Sequence, residues 1–179
     1  MLGNTYDDQN CSAARALEIA GERWSLLILR DALFRGMRRF SEFQKSLRVA
    51  SNVLAVRLET FVEEGILKLQ PGSSRADQQE YQITDKGRDF APVIMALMAW
   101  GDRWAAPHGP PVLLRHDGCG GKPNISVYCP SCGGDGQHLA MSATATEARS
   151  ARLKQKARAQ HEQSLRKNAE RVTRRRQNR

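Results

Sequence analysis

Apolar residues recur at three- and four-residue spacing through the first hundred positions, interrupted once by two-residue alternation. That order predicts helices around a single hairpin. Ala13, Ala16, Leu17 and Ala20 follow the capping residue Ser12 and stop at Gly21. Trp24, Leu27, Ile28 and Ala32 mark a second helix that closes before Gly36. Ser41 opens a third, with Phe40 ahead of it and Glu42 and Phe43 behind. A fourth starts at Ser51 or Asn52, turns Leu54, Leu58, Phe61 and Val62 inward and ends at Gly65.

The period then changes. Residues 66–70 suit a strand, Glu80-Tyr81-Gln82-Ile83-Thr84 alternates as a second, and the polar stretch 71–78 makes a loose tip between them. Thr84 or Asp85 caps a last helix carrying Phe90, Val93, Ile94, Leu97, Trp100 and Trp104. Pro92 lies inside it and should kink or restart it, since proline lacks the amide donor. The apolar positions of this helix spread too far round for one small core, so a second face should be covered, most simply by another copy of the chain. A mainly α fold with one small β-hairpin (α+β), the fourth helix running into the first strand, is the winged helix-turn-helix arrangement.

Composition changes the picture in two places. The net charge is +9, yet residues 1–139 hold 16 basic and 16 acidic residues, whereas residues 140–179 hold 12 and 3. The excess is a tail property and says nothing about the folded part. Residues 106–139 are rich in Pro and Gly and contain three of the four cysteines. The expected organisation is a flexible N-terminus (1–10), a DNA-binding and dimerisation domain (11–105), a zinc-ribbon-like extension (106–139) and a basic tail, disordered or loosely helical (140–179). No run of about 18 apolar residues is present and the first residues lack a signal-peptide core, so a cytoplasmic chain with no membrane partner is expected, nucleoid-associated when bound to DNA. Neither a nucleophile–base pairing nor a Gly-rich phosphate loop stands out, so no enzymatic activity is expected.

The stretch Glu22-Arg23-Trp24-Ser25-Leu26-Leu27-Ile28-Leu29-Arg30-Asp31 resembles that of HxlR-type regulators, winged-helix relatives of the MarR family. The resemblance continues through Arg38-Arg39-Phe40-Ser41-Glu42-Phe43, residues 53–58, Glu63-Glu64-Gly65-Ile66-Leu67, residues 80–87, Pro92 and Trp100-Gly101, and so spans about residues 11–104. It implies a homodimer joined through the first and last helices, a pseudo-palindromic double-stranded DNA operator and transcriptional control, more often repression. It also places Cys11 where many such proteins carry a cysteine that in several acts as a thiol sensor. The chain departs from the pattern at Ala55-Val56, where relatives often have Thr-Gln or Ser-Asp. Apolar side chains there can meet a thymine methyl but cannot hydrogen-bond a base edge, so the operator cannot be borrowed from relatives.

Helix geometry places Ser51, Asn52, Val53, Val56 and Arg57 at or beside the outward face near the start of the fourth helix, where this motif meets bases. Arg57 serves either DNA or an internal salt bridge. Arg38, Arg39 and Ser41 at the third helix's start could hold phosphate, as could Ser73, Ser74 and Arg75 at the wing tip. Cys11 sits at or next to the first helix's N-cap, where the helix dipole favours a thiolate while Asp7 and Asp8 oppose it. It is either an oxidant- or electrophile-sensing thiol or an inert one; a small ligand between the dimer helices is the other expected effector.

His116-Asp117-Gly118-Cys119-Gly120-Gly121 and Cys129-Pro130-Ser131-Cys132-Gly133-Gly134 repeat one pattern, two donors three apart followed by Gly-Gly. Together His116, Cys119, Cys129 and Cys132 make a Cys3His set suited to one structural Zn(II) per chain; the alternative is a metal-free loop. The segment resembles a small extension found in some HxlR-type proteins. The tail, ending in Arg171, Arg174, Arg175, Arg176 and Arg179, should add salt-dependent DNA affinity. An alternative function is a zinc-stabilised RNA- or ribosome-associated module using that tail.

Overall fold

The computed structural model describes residues 6, 11–72 and 78–134, together with 155, 158, 159 and 162. Among the described residues six helices and two strands run in the order α1 (Ser12–Ala20), α2 (Arg23–Phe34), α3 (Phe40–Leu47), α4 (Ser51–Glu63), β1 (Leu67–Pro71), β2 (Gln79–Ile83), α5 (Asp85–Arg88) and α6 (Ala91–Trp104). The strands pair antiparallel, with Leu67 opposite Ile83 and Leu69 opposite Tyr81. Among the described residues the architecture is mostly helical with one small hairpin, consistent with a winged helix-turn-helix.

The core is where the inward stripes of α2, α3, α4 and α6 converge. Ile28, Leu29, Phe43, Leu54, Leu58 and Phe61 are fully buried, joined by Ile66 and Leu67 at the start of the hairpin and by Ile94 of α6. At roughly 1.5–3 kcal/mol for each large apolar side chain taken out of water, this cluster is the main stabilising element. Gly65, at φ +67°, turns α4 into β1 in a left-handed conformation that a side chain would strain.

Several helix ends differ from the sequence reading by a residue. Cys11, rather than Ser12, caps α1, its sulfur accepting from the Ala14 amide at 3.3 Å. Arg39 holds the cap position of α3 and Ser41 lies inside the first turn, because the Glu42 carboxylate already satisfies the amides of Arg38 (2.8 Å) and Arg39 (2.9 Å). Ala50 precedes α4 with no side-chain cap, so neither Ser51 nor Asn52 plays that part. Pro92 restarts rather than kinks the final helix: Thr84 caps the single turn α5 through the Gly87 amide, and α6 begins one residue before the proline.

The chain divides into two compact units, Met1–Tyr128 and Cys129–Arg179. All the named helices and strands lie in the first. The expected N-terminal segment (residues 1–10), apart from Tyr6, and the basic tail, apart from four isolated positions, lie outside the described residues. No helix among the described residues is long and apolar enough to cross a membrane.

Candidate nucleic-acid interface

α3 and α4 are joined by a turn of three residues, Arg48-Val49-Ala50. Arg48 adopts φ 50°, ψ 35°, and its amide closes the last turn of α3 on the Gln44 carbonyl at 2.9 Å. A left-handed residue at this position redirects the chain sharply, and buried Val49 pins the turn to the core. Because Leu54, Leu58 and Phe61 are committed inward, the opposite face of α4 is left outside. Ser51, Asn52, Ala55 and Val56 are exposed, and Val53 and Arg57 lie partly buried at its edges. The α4 residues expected to meet bases thus fall on or beside one accessible face.

Arg57 is held by the neighbouring α2 entry: its guanidinium stands 3.6 Å from the Glu22 carboxylate, which is well exposed. A single bridge that open to water contributes little, roughly 0–1 kcal/mol, and a competing anion can displace it.

Arg39 differs more from expectation. Its Nε and Nη2 both donate to Glu80 Oε1 at 3.0 Å, and Glu80 is fully buried in β2. The side chain expected to meet phosphate thereby fastens the hairpin to the start of α3. A backbone bond beside it, Tyr81 amide to Arg38 carbonyl at 2.7 Å, does the same. Nothing in the sequence pattern singled out Glu80, since strand alternation alone would leave a carboxylate facing water. The amides of Arg38 and Arg39, part of the expected phosphate site, are occupied by Glu42. Those two amides, Arg38's first, hold the Glu42 carboxyl below the ordinary carboxylate range. Arg38 and Ser41 remain exposed, whereas Ser73, Ser74 and Arg75 lie outside the described residues.

A second buried acid braces the motif from behind. Asp31 of α2 is fully buried and accepts from Arg30 Nε at 2.8 Å, Arg35 at 3.4 Å and the Ser46 hydroxyl of α3 at 2.6 Å. These bonds lock α2 to α3, fixing the platform from which α4 projects.

Away from this face, α6 leaves an apolar stripe uncovered. Val93, Leu97, Trp100 and Trp104 fall within about 60° of arc on a helical wheel, and the two tryptophans are 62% and 65% exposed. The Arg103 guanidinium lies 4.7 Å from the Trp104 ring centre. Leu17 of α1 is also half exposed. Trp24, by contrast, packs against the core. Between α2, α6 and the segment that follows α6 is a cavity of about 520 Å³, lined by Phe34, Met98, Val112 and Leu114 with Arg30 and Asp102 at its polar edge. The Cys11 thiol is exposed at its helix cap.

The Cys/Gly-rich segment forms two tight turns. Gly120 and Gly133 sit at φ +67° and +70° in the corresponding places. In the first turn the His116 ring nitrogen Nδ1 lies 3.4 Å from the Cys119 sulfur. In the second, the amides of Cys132 and Ser131 and the Cys132 thiol hydrogen-bond the Cys129 sulfur and pull its thiol below the ordinary range. Among the described residues no three His, Cys, Asp or Glu side chains are gathered to hold a metal ion.

Comparison with known proteins agrees with this geometry. The HxlR-like helix-turn-helix family model matches residues 19–109. An HTH-type transcriptional regulator of Mycobacterium tuberculosis, Rv3095, is 44% identical over 123 residues, covering 68% of this chain and 77% of its own. The regulator YvaP of Bacillus subtilis is 33% identical over 94 residues, covering 52% and 86%. Among solved structures, the transcription factor PA1607 superposes with a TM-score of 0.66 at 39% identity, covering 75% of this chain and 96% of that one. The matched family and these relatives are transcriptional regulators and point to no catalytic activity. The chain therefore belongs to the HxlR-like helix-turn-helix family and is a transcriptional regulator with a DNA-binding helix-turn-helix fold.

Proposed function

We propose that the chain acts as a homodimer that places two copies of α4 in successive major grooves of a pseudo-palindromic operator and represses transcription there. The observation that carries this reading is the outward face of α4. Ser51, Asn52 and Val56 project from a helix whose opposite side is locked into the core, beside a hairpin anchored through Arg39 and Glu80. Asn52 suits adenine, and Val56 suits a thymine methyl. Arg57 exchanges its weak bridge to Glu22 for guanine or phosphate. Val53, Arg38 and Ser41 flank the contact, and the wing-tip residues Ser73, Ser74 and Arg75 reach the backbone or minor groove. Arg39 supports the wing by holding it in place. The dimer forms through the uncovered stripe of α6 together with α1.

Release from the operator follows either from oxidation or electrophile attack at the exposed Cys11 cap or from a small apolar ligand in the α2–α6 cavity. Fluorescence anisotropy with the protein's own promoter fragment, in the presence of random competitor DNA and RNA, tests the first part. Val56→Ser and Asn52→Ala should each weaken specific binding about 5- to 100-fold and leave non-specific binding nearly unchanged. Equal losses on both DNAs, or preference for the RNA, would refute the assignment. Treatment with diamide should act on the wild type and spare Cys11→Ser if the thiol is the switch.

A further inference from the structure

Among the described residues Arg48 alone has a positive φ without being glycine. It stands in the turn between α3 and α4, three residues ahead of Ser51. The left-handed region brings Cβ of an L-residue against the backbone, a strain that glycine escapes. The fold needs only the conformation here: the Arg48 amide closes α3 on the Gln44 carbonyl, and it is Val49, its neighbour, that is buried. Glycine would meet that need with less strain. An arginine kept in a strained conformation with its side chain in solvent points to a task for the guanidinium itself.

The side chain has company. Arg48 lines an open pocket of about 570 Å³ together with Arg35, Glu42, Lys45 and Ser46, so three cations share it with one acid. That acid is already engaged, since the Glu42 carboxylate accepts from the amides of Arg38 and Arg39. Arg35 is held by the Ser46 hydroxyl at 2.7 Å and by Asp31 at 3.4 Å, and Asp31 is shared with Arg30, so it does not cancel both guanidiniums. Lys45 and Arg48 are exposed and make no ion pair among the described residues. A pocket with two uncommitted cations and a positive balance suits a phosphate oxyanion.

Its place in the motif identifies which phosphate. The first helix of a helix-turn-helix crosses the DNA backbone, and the first residues of the second meet base edges. Lys45 lies in the last turn of α3 and Arg48 in the turn that leads to α4. Both therefore fall where the chain passes from backbone to groove. We propose that Lys45 and Arg48 clasp one DNA backbone phosphate in the pocket they form with Arg35 and Ser46, at the edge of the groove that α4 enters. This contact rests on α4 being the groove-entering helix. It reads no base, adds affinity on any duplex and fixes the register of α4 on the DNA.

The test uses the full chain and fluorescence anisotropy on promoter and random duplexes over a range of salt concentrations. Each neutralised phosphate contributes about 0.9 to the slope of log K against log salt. Arg48→Gly should make the slope shallower by about 0.9 for each chain bound. At 0.1 M salt that is about an 8-fold loss of affinity per contact, equal on both duplexes. Lys45→Gln should act in the same direction, and Arg48→Lys, which keeps the charge, should retain the wild-type slope. Lys122→Gln, outside the pocket, should retain it too. Because strain is relieved, the melting midpoint of Arg48→Gly should stay or rise. A wild-type slope in Arg48→Gly, an equally shallow slope in Lys122→Gln, a lowered melting midpoint in Arg48→Gly, or an altered preference for promoter over random DNA would overturn the proposal. Val56→Ser, measured alongside, separates the two ideas. If it loses promoter preference while Arg48→Gly keeps the wild-type slope, the phosphate contact alone is wrong; if it keeps that preference, the groove reading fails and the contact with it.

Discussion

The sharpest expectation concerns Trp100. Its side chain is 62% exposed on one chain although it lies in a stripe with Val93, Leu97 and Trp104. A tryptophan presents about 250 Å², so roughly 150 Å² of this one is open to water. Truncation to alanine removes on the order of 100 Å² of that, which at about 25 cal/mol per Å² is near 2.5 kcal/mol. A two-fold interface counts the change twice, giving about 5 kcal/mol per dimer and a dissociation constant raised by 10³- to 10⁴-fold, roughly a decade per 1.4 kcal/mol. Sedimentation equilibrium over several decades of concentration measures it directly. The substitution touches exposed surface in the isolated chain, so the circular dichroism of the Trp100→Ala monomer should remain that of a folded helical protein. A dissociation constant within threefold of wild type would show that α6 is not the pairing surface, and the two-groove reading would fall with it.

Other expectations follow from the buried polar contacts. Glu80→Gln weakens both bonds from Arg39; because Arg39 is partly solvated, the loss is about 1–2 kcal/mol, read as a lower urea midpoint and faster amide exchange at Tyr81. An unchanged midpoint would mean the pair does not hold the hairpin. Glu42 is depressed in the folded state, so its stabilisation is present above the ordinary carboxylate range and disappears as pH falls through the lowered folded value. Glu42→Gln should therefore cost about 1 kcal/mol at neutral pH and flatten the acid limb of stability; an identical acid limb in both proteins would contradict this. Ser25 is buried with no partner for its hydroxyl among the described residues. Ser25→Ala, which also raises helix propensity, should leave stability equal or higher by about 0.5–1 kcal/mol, read as an unchanged or raised thermal midpoint. A loss above 1 kcal/mol would reveal a partner for that hydroxyl.

The order of elements, the inward stripe of α4 and the hairpin were legible from residue spacing, because helix and strand periods are local and each apolar residue has to face something. The restart at Pro92 was legible too, since a missing amide has the same consequence in any fold. Helix entries were less so. Ser12, Ser41, Ser51 and Asn52 all look like caps, but an N-cap depends on which atom reaches the free amides: the Cys11 sulfur does so at α1, the Glu42 carboxylate holds the entry of α3, and α4 starts with no side-chain cap. The outward face of α4 could be named from sequence, whereas the fate of its arginines could not. Arg39 meets Glu80 across 41 residues and Arg57 meets Glu22 across a helix boundary. No periodicity records such partners, because a charged side chain's environment is set by whatever the rest of the chain brings near it. The sequence by itself determined which surfaces are apolar and which segments can turn. The tertiary structure decided which charges remain available to DNA and which are committed to holding the fold, since that depends on distances between residues remote in the chain.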